Sequence, residues 1–383
     1  MVDRYGRERD ALTQRMEQDG SWPERSPWIR EAVDALPRHR FVPDRLWRWD
    51  GHTYVPVDRD TDEGAWAQQV YGGPDDPAIT QITGGHPTSS LSCQAVVVDM
   101  LDSLKLEPGH RVLELGAGTG WNAALAAYRA GPGRVTSVEV DPNLAAEARE
   151  NLKSTGVVAS VQVGDGAEGW PAGAPYDRVI STYAVDEVPW AWVEQTRPAG
   201  RIVTPWGRLG HVALTVAADG RLATGWMQGL ATFMPARGTE QGTRSLSQIR
   251  SSTPVESERP FTRDPRPLHS NGSLLFALRV QLPDVRVHTE ADDDAVTVWL
   301  HDGCSSRATL TAPASGPGTA YQGGPRRLAD EVEEAWTRWE TNGAPSLYDF
   351  GMTITPEGTR IWSGEADTGP SWQASDRVGA FNH

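Results

Sequence analysis

Three glycines set between a strand and a helix constrain this chain more than any other feature. VLELGAGTGWNAAL places Gly116, Gly118 and Gly120 directly after one apolar segment and directly before another. Glycines at such a turn let the backbone approach a ligand closely, and the helix N-terminus that follows favours polar or anionic groups. The unit predicts an α/β fold with a parallel sheet, whose ligand lies at the carboxyl ends of the strands. That ligand is a nucleotide-like cofactor.

The spacing separates the candidate cofactors. The loop reads GxGxG with Glu114 two residues ahead, where a pyrophosphate fingerprint would read GxGxxG. An acid at that strand end repels a pyrophosphate and suits a cofactor carrying an ammonium and a sulfonium, which points to S-adenosylmethionine. Glu139 ends the next strand, in VTSVEVD, about twenty residues past the loop, where a carboxylate can accept both ribose hydroxyls. Asp165 ends the third, in GDG, where it can take the adenine amine while Gly164 and Gly166 keep the pocket open. The plainer alternative is a structural glycine turn with these acids serving as helix caps.

Around this loop the chain divides by rhythm. Residues 1–85 are polar and rich in Trp, Pro and Asp, with a helical patch near Pro27–Leu36 and a loop-like VDRDTDEGAW, and read as an N-terminal cap. Residues 86–234 alternate helices with strands at 111–115, 134–140, 160–165, 177–183 and 200–206. A hairpin follows, turning at Asp219-Gly220. Residues 235–270 lack periodicity and read as a linker or loop. Residues 271–383 read as an α+β domain, with strands at LLFALRVQL, VRVHTE and AVTVWLH and a helix at LADEVEEAWTRWE. The fold class is therefore α/β, a Rossmann-like methyltransferase core of the S-adenosylmethionine-dependent class I type, with a C-terminal α+β extension.

Composition narrows the partners. A net charge of −15 over 383 residues repels phosphate backbones, which argues against nucleic acid. Two cysteines, Cys93 and Cys304, are too few for a disulfide framework or a four-ligand zinc site, and no metal is expected. No run approaches the ~20 apolar residues that span a bilayer, and the charged N-terminus lacks a secretory apolar region. The chain reads as cytoplasmic, with no membrane partner.

Several blocks beyond the loop resemble the protein-L-isoaspartate O-methyltransferase family, which transfers methyl from S-adenosylmethionine to a peptide carboxylate. They are ALPRHRFVPD at 35–44, LELGAGTGWNAAL, GDG, and PYDRVISTYAVDEVPWAWVEQTRPAGRIVTPWG at 175–207. The resemblance implies that Ser92, in SSLS, is the catalytic serine, and that Ser90, Thr182 and Tyr183 face the substrate. It implies cofactor contacts from Glu114, Gly116, Gly118, Gly120, Glu139, Asp165 and Gly166. Two departures stand out: the Thr-Ile-Ser segment becomes Ser90-Leu91-Ser92 with Gln94 replacing a proline, and Tyr183 stands where the family usually has alanine. The C-terminal region is similar to the actinobacterial homologues encoded with ribosomal peptide maturation systems, both graspetide and lanthipeptide. That similarity implies methylation of an ordinary Asp in a precyclised precursor peptide, with closure to an aspartimide and hydrolysis to isoaspartate as a possible sequel.

A peptide carboxylate with a pKa near ~3.9 is ionised at neutral pH, so the site needs alignment more than a base. Ser92 would supply it by a hydrogen bond, unless its hydroxyl serves only as a helix N-cap. Trp336 and Trp339 fit the core side of an amphipathic helix, with Asp330, Glu331, Glu333 and Glu334 on the solvated face. Isoaspartyl repair is the alternative activity. A non-catalytic peptide escort is the alternative of another class.

Overall fold

The computed structural model describes residues 4–207, 209–238, 244–292, 295–313 and 318–374. They form two compact units, Met1–Thr224 with Ala231–Ala236, and Gly225–Leu230 with Arg237–His383. Among the described residues no helix is long and apolar enough to cross a membrane.

The first unit opens with helices α1 (Gly6–Gln18) and α2 (Trp28–Ala35). Strands β1 (Arg45–Trp49) and β2 (Tyr54–Asp58), helix α3 (Glu63–Val70) and strands β3 (Ala78–Thr83) and β4 (His86–Leu91) follow. The four strands form an antiparallel sheet in the order β2-β1-β3-β4. VDRDTDEGAW, expected as a loop, ends β2 and starts α3, because Asp62 caps that helix by accepting from the Ala65 N–H. This region and the rest of the unit share one hydrophobic core.

Helix α4 (Gln94–Leu104) leads into the alternating segment: β5 (Val112–Leu115), α5 (Trp121–Ala130), β6 (Val135–Glu139), α6 (Pro142–Thr155), β7 (Ser160–Val163), β8 (Tyr176–Ser181), α7 (Trp190–Glu194), β9 (Thr196–Trp206) and β10 (Gly210–Val216). The sheet order is β10-β9-β8-β5-β6-β7, with β9 through β7 parallel and β10 antiparallel to β9. All four residues of β5 are buried, as expected for a middle strand covered on both faces. Local signals bound α6 sharply: Asp141 accepts from the Asn143 and Leu144 N–H groups, Pro142 occupies the first turn, and Gly156 at φ +76° ends the helix.

Strand β11 (Ala223–Leu230) crosses the division between the units. The second unit contains α8 (Leu246–Ser252), β12 (Ser257–Phe261), α9 (Pro267–Ser270), α10 (Gly272–Gln281), β13 (Arg286–Ala291), β14 (Ala295–His301), β15 (Arg307–Pro313), β16 (Gly318–Gly323), α11 (Leu328–Thr341), β17 (Phe350–Thr355), β18 (Gly358–Ser363) and β19 (Ser371–Gln373). Strands β12-β16-β15-β14-β13 make an antiparallel sheet, whose core holds Leu274, Leu278, Val332 and Trp336.

Two expectations fail here. LLFALRVQL is helix α10 and not a strand; Asn271 caps it by accepting from the Leu274 N–H, and nearly every face of its apolar run is buried. The stretch 235–270 is not merely a linker. Its helix α8 begins with a reciprocal capping box between Ser245 and Gln248, and β12 pairs with β16 as an edge strand, where Pro260 is tolerated.

One buried cation ties the N-terminal region to the site. Arg38, 1% exposed, donates from Nε to the Val70 carbonyl at 2.9 Å and from Nη1 to the Ser92 carbonyl at 2.8 Å. Its guanidinium lies 5.0 Å from the centre of the Trp121 ring, and burial lowers its pKa to about 10, so it stays charged at neutral pH. Arg38→Met strands both carbonyls and should cost roughly 1.5–3 kcal/mol of stability. Urea unfolding followed by tryptophan fluorescence measures it, and an unchanged midpoint would contradict the role.

Candidate active site

The glycine loop leaves β5 at Leu115 and enters α5 at Trp121. Gly116, Gly118 and Gly120 have φ of +93°, +50° and +85°, which side-chain-bearing residues rarely adopt. A Cβ on Gly116 would lie 2.5 Å from the Thr182 Oγ1, and one on Gly120 3.3 Å from the Ala148 carbonyl oxygen. Over Gly118 the approach is looser, with the Ser90 carbonyl oxygen at 3.8 Å and the Ser89 Oγ at 3.9 Å from that position. Strand β4 therefore runs beside the loop.

Glu139 is 5% exposed at the end of β6 and holds the loop from one side. Its Oε2 accepts from the Gly118 N–H at 3.0 Å and its Oε1 from the Asp141 N–H at 3.1 Å. Glu114 is more deeply placed than its position in the motif implied. It is fully buried, accepting from the Asn122 Nδ2 at 2.8 Å and from the Ser137 hydroxyl. Burial raises its pKa to about 7 against these two donors.

Asp165 is exposed after β7, and its Oδ1 accepts from the Ala167 N–H at 2.9 Å, so the cap role weighed for it is present. Gly166 beside it is buried, with its carbonyl accepting from the Trp192 Nε1 at 2.8 Å. Tyr183 spans the gap between the two glycine turns. A Cβ on Gly116 would stand 3.0 Å from its Cδ1, and a Cβ on Gly166 2.3 Å from its hydroxyl. Burial, then the charges of Asp165 and Glu139, raise the pKa of its phenol. The Thr182 hydroxyl donates to the Gly116 carbonyl at 2.6 Å and so clamps the loop. Both residues, expected on the substrate side, lie against the glycine turns.

Ser92 follows β4, with its backbone held by Arg38. The cap residue of α4 is Cys93, without a side-chain cap bond, so the helix does not use the Ser92 hydroxyl. Neither the Ser90 nor the Ser92 hydroxyl bonds to another described residue. Gln94, where the family pattern has proline, is buried and donates to the Met16 sulfur at 2.9 Å.

The set fits S-adenosylmethionine. It offers backbone room at three glycines, a strand-end carboxylate at Glu139 beside the loop, and a second at Asp165 beside Gly166. Arg38, Asn122, Ser137 and Trp192 complete the support. Sequence reasoning gave none of them a role, although Arg38 lies within ALPRHRFVPD and Asn122 within the loop motif itself.

Glu114 makes the apo protein sensitive to pH in a definite direction. Its pKa rises from 4.5 to about 7 on folding, so the unfolded chain ionises first as pH climbs, and stability falls through that window. Relative to Glu114→Gln, the parent should be at its best below about pH 4.5 and should lose that margin by about pH 7. Urea titrations of both proteins at pH 5 and pH 8, without cofactor, test this; a constant difference would refute it.

Known proteins resemble this arrangement. The family model for protein-L-isoaspartate(D-aspartate) O-methyltransferase matches residues 7–223. A protein-L-isoaspartate O-methyltransferase of Methanopyrus kandleri is 37% identical over 206 residues, covering 53% of this chain and 78% of that one. Protein-L-isoaspartate O-methyltransferase 2 of Archaeoglobus fulgidus is 32% identical over 247 residues, covering 63% of this chain and 98% of its own length. A solved structure titled protein-L-isoaspartate O-methyltransferase shares the fold at TM-score 0.52 and 21% identity, over 93% of this chain and 100% of that one. Fold similarity thus extends past the residues that the family model matches. The chain belongs to the protein-L-isoaspartate(D-aspartate) O-methyltransferase family and is an S-adenosylmethionine-dependent protein carboxyl O-methyltransferase.

Proposed function

We propose that this enzyme methylates the side-chain carboxylate of an ordinary Asp in a peptide, a ribosomal precursor that has already been cyclised. The observation that carries the reading is Ser92: anchored through its carbonyl by a buried arginine, beside a strand that borders the glycine loop, with a hydroxyl that no described residue occupies.

Glu139, the glycine loop and the Asp165–Gly166 turn would hold S-adenosylmethionine, which supplies an electrophilic methyl group on a sulfonium. Ser92 donates a hydrogen bond to one oxygen of the acceptor carboxylate and orients the other. No base is needed, because the acceptor is already ionised at neutral pH. Such alignment can contribute several kcal/mol, up to ~7–11 in favourable systems. Tyr183 packs between the two glycine turns with a phenol that stays protonated. In the methyl ester, the next residue's backbone nitrogen attacks the carbonyl carbon and the carbon–methoxy bond breaks. The amide proton leaves with the methoxy group as methanol, and a five-membered imide closes.

Support for an ordinary Asp, over a generic isoaspartyl residue, comes from the changed segment Ser90–Gln94. The names of the relatives favour isoaspartyl repair as the second reading. Intact-mass analysis separates them, with the protein and S-adenosylmethionine incubated once with a linear isoaspartyl peptide and once with a cyclised precursor. Ester formation and methanol loss on the precursor alone is the expected outcome; methylation of the isoaspartyl peptide alone returns the enzyme to repair.

Ser92→Ala should lower kcat about 100-fold while S-adenosylhomocysteine binding, measured by calorimetry, stays within about twofold. Parental turnover by the variant would remove Ser92 from the mechanism.

A further inference from the structure

The second unit has a half-open cavity of about 510 Å³, within the ~300–1,000 Å³ usual for ligand sites. Its walls include Trp339, Phe350 and Trp372, with Asp349, Glu365 and Ser363 among them. Trp339 was expected in the helix core beside Trp336. Trp336 is there, 5% exposed, and Trp339 packs partly buried against the same core while also lining the cavity, with Nε1 donating to the Pro345 carbonyl at 2.9 Å.

The site is built and not a gap between loose loops. The Ser363 N–H donates to the Pro370 carbonyl and the Gly364 N–H to the Asp349 carbonyl, each at 2.9 Å. Asp349 Oδ2 accepts from the Ser346 N–H and hydroxyl at 2.8 Å, which leaves its other oxygen unused. A Cβ on Gly369 would fall 2.1 Å from the Ser363 carbonyl oxygen, so only glycine fits that turn.

Three observations specify the occupant. Among the described lining residues there are two carboxylates and no Lys, Arg or His. Glu365 is exposed and its carboxylate has no partner among the described residues. Ser363 is 7% exposed, and its hydroxyl also lacks one. Tryptophan rings in the walls, the unpartnered Glu365 carboxylate and the open oxygen of Asp349 together select a cation, and the planar guanidinium of arginine best combines stacking with several hydrogen-bond donors.

We propose that this cavity binds a basic side chain, arginine before lysine, of the peptide whose carboxylate the first unit methylates. The peptide nature of that partner rests on the function proposed above. The chemistry of the cavity does not. It is a recognition site apart from the methyl-transfer residues, in a part of the chain to which the family model assigns nothing.

Calorimetry on the full chain with the probe acetyl-Gly-Arg-Gly-amide tests it, using acetyl-Gly-citrulline-Gly-amide as the neutral isostere. Arginine should bind about tenfold tighter than citrulline, and Glu365→Gln should remove most of that preference. Glu334→Gln, on the outer face of α11, should leave it unchanged. Ser363→Ala keeps the cavity open and should weaken the arginine probe alone. Equal binding of the two probes, no binding of either, or an undiminished preference in Glu365→Gln overturns the proposal. An Asp peptide carrying arginine should also show a lower KM than its citrulline counterpart, with kcat unchanged. Arginine binding without methylation of any peptide would leave the cavity's assignment standing and refute the proposed function. Methylation with equal KM for both peptides would do the reverse.

Discussion

A carboxyl group cut off from water at the end of the middle strand sets the terms for everything around the loop. Glu114 lies on β5, between β6 and β8, where neither sheet face is open. A group there must be satisfied by protein donors, and the fold brings Ser137 from β6 and Asn122 from the first turn of α5. These bonds fix how α5 enters, and the entry fixes the three left-handed glycines between them. The uncommon backbone and the buried acid are therefore one feature, because a bulkier loop could not pass between Thr182 on one side and Ala148 on the other.

This coupling explains what was legible in advance. The five parallel strands were readable because short apolar runs alternate with helical stretches along this segment, and the glycine loop indicated which ligand edge they share. What the strand-end acids do was only partly readable. Glu139 lies beside the loop as its position implies, but nothing in the spacing distinguishes a carboxylate that faces a cleft from one sealed beneath it, as Glu114 is. The errors in the second unit have simple causes. LLFALRVQL is an unbroken apolar run of a length that suits either strand or buried helix, and only Asn271 just ahead of it marks the helix. SERPF looked irregular because of Pro260, whose missing donor does no harm at a sheet edge.

Ser92 illustrates a different limit. The family resemblance singles it out, but its support comes from Arg38, distant in sequence and invisible to any local pattern. A buried guanidinium needs acceptors on several sides, and here the carbonyls of Val70 and Ser92 and the ring of Trp121 supply them. The α4 cap passes to Cys93, and the serine hydroxyl remains available. Tyr183 is the mirror case: visible in sequence as a departure from the family pattern, yet placed by the structure against Gly116 and Gly166 and not out in a substrate groove.

The electrostatics of the whole chain bear on which peptides it can use. A protein with net charge −15 that acts on carboxylates works against its own field, and Glu139 and Asp165 make the repulsion local. The cationic sulfonium of bound S-adenosylmethionine would offset part of it at the reacting centre. Basic residues elsewhere in the substrate would supply the missing attraction, steering association and offsetting the approach of the acceptor. A peptide that is acidic throughout gains no such help, so on charge alone an enzyme of this kind would be served best by substrates that carry basic residues beside the acceptor carboxylate.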